Sequence, residues 1–98
     1  MLLEDRDVVL FRFQDNNWQM MLTDHSFHAL RTHTTAEKLL SISSRFLKVR
    51  QECIINLDYL VFIENKTLRC IFRPPFEKIE IFISRRCYAQ IREVLQLI

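Results

Sequence analysis

From Val8 to Phe13 the chain is apolar at every position but Arg12, and after the polar stretch Gln14 to Asn17 comes Trp18 to Thr23, apolar except at Gln19 and Thr23. Two short runs of this kind around a polar turn predict a β-hairpin, with strands at 8–13 and 18–23. A second turn at Asp24 to Ser26 leads to a third strand at 27–33. The period then changes. Thr34-Thr35-Ala36-Glu37 has the form of a capping box, and Ala36, Leu39 and Leu40 follow at i, i+3 and i+4, which predicts a helix over about 35–42 capped by Thr34. Beyond it the pattern returns to β, with strands expected at 46–50, 53–56, 60–64, 68–72 and 78–83. The Arg73-Pro74-Pro75-Phe76 turn separates the last two, because proline lacks the donor a ladder needs. Ser84 is placed to cap a final helix whose apolar stripe is Cys87, Ile91, Val94, Leu95 and Ile98. The expected fold is mainly β and antiparallel, with two short helices.

Length and composition narrow this further. A chain of 98 residues fits one domain, here 1–98, and its apolar share of 49% with eight Phe supports a packed interior. No apolar run approaches the roughly 18 residues that suggest a membrane span, and the first residues are acidic (Glu4, Asp5, Asp7), unlike a secretory leader, so a cytoplasmic location is expected. Cys53, Cys70 and Cys87 are odd in number, far apart and set in apolar sequence, which predicts reduced core thiols.

Glycine is absent altogether. Glycine-rich phosphate cradles, dinucleotide fingerprints and nucleophile elbows all need it, so those enzyme classes drop out. Tight turns then fall to Asn and Asp, with Asn16-Asn17 and Asn65-Lys66 the expected sites. His25, His28 and His33 do not make a metal site: on a strand over 27–33, His28 and His33 have opposite parity, and only Asp24 lies near them. The serines have no base at a readable spacing. No enzymatic activity, cofactor or metal is expected.

Charge is uneven. Residues 1–44 hold four cations against six anions, a net of −2, whereas residues 45–98 hold ten against six, a net of +4. Two clusters stand out in the basic half. Lys48 and Arg50 are expected to share one strand face, with Leu47 and Val49 on the other and Gln51 in the following loop. Arg and Gln can read base edges and Lys suits a phosphate, while Glu52 would repel phosphate unless it accepts from cytosine or holds Arg50. The second cluster is Arg85-Arg86, just after Ser84. In the first turn of a helix each cation costs about 0.3–1 kcal/mol against the macrodipole, and a bound phosphate would reverse that sign.

In order and content these motifs resemble the LytTR DNA-binding domain. The resemblance lies chiefly in RFLKVRQECIINLDYLVFI (45–63) and IEIFISRRCYAQIREVL (79–95), with DVVLFRFQDNNWQMML and TTAEKLL fitting upstream, and it spans about 7–95. It implies stacked antiparallel β-sheets in a sandwich whose loops, not a recognition helix, enter successive major grooves of double-stranded promoter DNA. It further implies the output domain of a bacterial response regulator in a two-component system, bound to paired direct repeats, with a possible homodimer on DNA and the receiver or sensor domain absent from this chain. Carried over by position, the DNA contacts fall on Asn17, Trp18, Lys48, Arg50, Gln51, Ser84, Arg85 and Arg86. Arg50, Gln51 and Glu52 depart from the family's usual His, then Arg or Asn, then Ser, so its base preference does not carry over. The alternative, favoured by the low net charge and Glu52, is a protein-interaction or dimerisation module that keeps the scaffold without binding DNA.

Overall fold

A computed structural model of the chain describes residues 2–96, with side chains through residue 93. It contains two antiparallel sheets, of five and three strands, and two helices. The chain divides into two compact units, the first ending at Asp58 and the second beginning at Tyr59.

The first unit holds β1 (Val8–Gln14), β2 (Asn17–Leu22), β3 (Phe27–Ala29), α1 (Ala36–Ile42), β4 (Phe46–Arg50) and β5 (Cys53–Asn56). Its sheet runs β3-β2-β1-β5-β4, all neighbours antiparallel. The inner strands β1 and β5 are buried at successive positions, Val8 to Phe11 and Cys53 to Asn56, which is why their sequences read as continuous apolar runs. Val8, Phe11, Trp18, Leu39, Phe46 and Ile54 form the core of this unit, with Ala36 and Leu40 of α1 packed against it. Phe11 and Phe46 meet edge to face at 5.1 Å, a geometry worth about 0.5–1.5 kcal/mol beyond the area buried.

The second unit holds β6 (Leu60–Ile63), β7 (Arg69–Phe72), β8 (Ile81–Phe82) and α2 (Arg85–Gln96), its sheet ordered β6-β7-β8. Tyr59, Cys70, Phe72, Phe76 and Ile83 are buried here. The stripe expected on α2 is visible at Cys87 and Ile91, both half-buried, whereas the side chains of Val94 and Leu95, and Ile98 entirely, lie outside the described residues. None of the three cysteines is in a disulfide; Cys53 and Cys70 are buried and Cys87 is half-buried. Burial pushes the Cys70 thiol up to about 11, so it stays protonated and unreactive at neutral pH.

Several expectations are corrected. The third strand ends at Ala29 instead of residue 33, because the ladder runs out: Leu30 N–H reaches the Trp18 carbonyl, and the Leu30 carbonyl is taken by the Asn17 side chain at 3.0 Å. The cap of α1 is Thr35, which accepts from Lys38 N–H, one residue later than expected; the Thr34 hydroxyl instead donates to the Arg31 carbonyl ahead of the helix. Only Ile81 and Phe82 of the expected 78–83 strand pair with β7, because Ile79 N–H turns back onto the Phe76 carbonyl. The β1–β2 turn centres on Asp15 and Asn16, with φ of 54° and 65°, the paired left-handed signature of a type I′ hairpin turn. His25, His33 and Leu68 also take positive φ, a conformation in which a bulky leucine is a true outlier.

Asn56, at the end of β5, is fully buried. Its Nδ2 donates to the carbonyls of Asp5 (3.1 Å) and Val8 (2.8 Å), and its Oδ1 accepts from Asp58 N–H (2.9 Å). One side chain thus ties the entry of β1 to the exit of β5.

Candidate nucleic-acid interface

Sheet topology brings two loops of the first unit to one end. β1 runs antiparallel to both β2 and β5, so the turn after Gln14 and the Gln51-Glu52 turn before Cys53 lie beside each other, joined by a bond from Phe13 N–H to the Glu52 carbonyl (2.8 Å). The β4–β5 hairpin presents Arg50, Gln51 and Glu52 exposed at its tip. A shift of register between Lys48 and Arg50 breaks the strict alternation that would set these two cations on one face, and Lys48 is half-buried. Lys48 Nζ instead donates to Gln51 Oε1 (3.2 Å), and Arg50 Nε donates to Glu52 Oε1 (2.9 Å). Of the roles open to Glu52, the structure shows it holding Arg50. With both partners this exposed the pair is worth only about 0–1 kcal/mol, so it orients the guanidinium without locking it. Arg45 is committed elsewhere, paired with Asp58 and within 4.0 Å of Asp5.

Asn17 and Trp18 sit beneath the neighbouring turn. Trp18 is only 5% exposed, packed edge to face against Phe13 at 5.5 Å, so its indole is core and unavailable to a ligand. Asn17 is half-buried and spends its amide on the Leu30 carbonyl. These two residues shape the loop; Asp15 and Asn16 are the ones it exposes.

In the second unit Ser84 caps α2 as expected, its Oγ accepting from Cys87 N–H at 3.1 Å. Arg85 and Arg86 follow, both exposed, in a first turn that contains no acidic residue. Among the described residues neither forms an ion pair with a carboxylate, Glu80 and Glu93 included. Two guanidiniums at the positive end of a helix dipole are held in an unfavourable field that an anion would relieve. The histidines behave otherwise: His28 Nε2 lies 2.8 Å from Ser26 Oγ, and Ser26 hydrogen-bonds Asp24, holding its carboxyl below the usual range.

Lys66, expected only as part of a turn, and Arg92 were not marked as candidate contacts. Arg92 stands at i+7 from Arg85 with Tyr88 at i+3 between them, a helical spacing that could have marked a basic face of α2.

Among protein families, the model of the LytTr DNA-binding domain matches residues 1–96. No curated protein matches the chain at a significant level. No helix among the described residues is long and apolar enough to cross a membrane.

Proposed function

The chain belongs to the LytTR family of DNA-binding domains, which serve transcription regulation, and on that premise we propose that it recognises double-stranded DNA in a sequence-specific way. Residues 1–98 act as one DNA-binding domain, the output module of a bacterial response regulator whose receiver belongs to a two-component system in the cytoplasm. The target is promoter DNA carrying paired direct repeats, occupied by two copies of the domain. The Gln51-Glu52 turn enters the major groove, where Gln51 and Arg50 lie nearest the bases and Lys48 takes a phosphate. Arg85 and Arg86, steered by the Ser84 cap, hold phosphates at the start of α2, and Asn17 and Trp18 keep the Asp15-Asn16 turn in shape beside the groove.

The observation that carries this reading is the exposed Arg85-Arg86 pair at a helix start, without a carboxylate partner among the described residues, which is unfavourable for folding unless it meets an anion. The Arg50–Glu52 ion pair is what favours the second reading, an interaction module in which the hairpin's charge is satisfied within the chain.

Selection of bound duplexes from a random pool separates the two. The DNA reading expects an enriched motif, and expects Gln51→Ala to flatten base preference at one or two positions by about 1–3 kcal/mol each while leaving the rest of the motif intact. A pool that stays random after selection would remove specific recognition.

A further inference from the structure

The second unit carries a basic surface beyond the Arg85-Arg86 pair. A groove of about 450 Å³ lies between the β6–β7 turn and α2, its walls including Asn65, Lys66 and Thr67 from the turn and Arg85, Tyr88 and Arg92 from the helix. Among the described residues that line it, three are cations and none is a carboxylate. The Arg92 guanidinium stands over the Tyr88 ring at 5.9 Å, within the reach of a cation–π contact, which steadies it without neutralising it. The turn is fixed as well. Leu68, in its left-handed conformation, donates to the Glu64 carbonyl (2.7 Å) and accepts from Ile83 N–H (2.8 Å), so the backbone beside Lys66 is bonded to the residue preceding the Ser84 cap.

We propose that this groove is a second backbone-contact surface for duplex DNA, in which Lys66 and Arg92 take phosphates beyond those held at the start of α2. The proposal rests on the DNA-binding reading and extends it to residues outside the carried-over contacts. Charge complementarity argues for a polyanion: three cations around one groove repel one another until counter-charge enters, and the rim is too polar to bury an apolar ligand. Spacing argues for a duplex. Arg85 and Arg92 are separated by about 10.5 Å of helix rise, close to the roughly 10 Å that three nucleotides of one strand advance along the B-DNA axis.

The test is a salt titration of duplex binding by the chain carrying Lys66→Ala and Arg92→Ala together, both at exposed positions. Against it runs Arg31→Ala with Lys38→Ala, exposed cations of the first unit whose loss changes net charge equally. The groove pair should make the log–log slope shallower by about 1.8, lowering affinity on every duplex alike and leaving the selected motif unchanged. An unchanged slope, or an equal change in the control pair, would overturn the groove while the unsubstituted chain still bound duplex. Absence of duplex binding by the unsubstituted chain would instead remove the DNA-binding reading, and the groove with it.

Discussion

Asn56→Ala is expected to destabilise the protein by on the order of 3 to 5 kcal/mol, the largest effect of any single substitution considered for its stability. The side chain is fully buried and satisfies three backbone groups, the Val8 carbonyl in a buried bond and the Asp5 carbonyl and Asp58 N–H in partly buried ones. Truncation removes all three partners at once: the buried Val8 carbonyl bears a desolvation cost of about 1–3 kcal/mol, and the two partly buried groups a smaller one, partly recovered by water. For a domain of this size that corresponds to a fall in Tm of at least about 12 °C. Thermal or urea unfolding followed by circular dichroism would check it. A fall of only a few degrees would mean that the entry of β1 is held by its apolar packing alone.

Arg85→Ala and Arg86→Ala are expected to move stability and binding in opposite directions. Each substitution takes a cation out of the first turn of α2 and puts a better helix former in its place, so the folded chain should gain about 0.3–1 kcal/mol per site. Each should also weaken binding to every duplex, about tenfold or more, because a charge-assisted contact to phosphate worth about 1.5–3 kcal/mol disappears. Binding to all sequences should fall together, unlike the selective loss expected for Gln51→Ala. Paired measurements of Tm and duplex affinity on the same preparations would show it. Arginines that served the fold would give the reverse sign in Tm.

Much of the architecture was legible in the sequence because burial writes itself into the chain. The runs at Val8 to Phe11 and Cys53 to Ile55 read as strands, and Ala36, Leu39 and Leu40 read as a helix seated on the sheet, because each buried face needs apolar residues at its own period. Ser84 was readable as a cap for a similar reason: few side chains can meet a helix's first N–H groups. What could not be read was set by partners distant in sequence. The length of β3 depends on the Asn17 amide reaching Leu30, thirteen residues away. In a chain without glycine, the left-handed positions fell not only on Asp15 and Asn16 but on His25, His33 and Leu68, chosen by loop closure over residue preference.

For the candidate site the division is similar. Charge and helix position were enough to mark Arg85 and Arg86, since an arginine pair after a cap breaks a local rule visible in the sequence. The β4–β5 tip needed coordinates: the register shift at Val49, the Lys48–Gln51 bond and the Arg50–Glu52 pair depend on how the hairpin closes. The burial of Trp18 was not legible either, because an aromatic beside a turn reads the same whether it faces a ligand or the core.

The most direct measurement is the salt dependence of duplex affinity of the unsubstituted chain, between low and physiological ionic strength. Contacts to roughly four to six phosphates predict a log–log slope of about −4 to −5. A chain that binds no duplex even at the lowest salt, or whose affinity is indifferent to salt, would contradict the account.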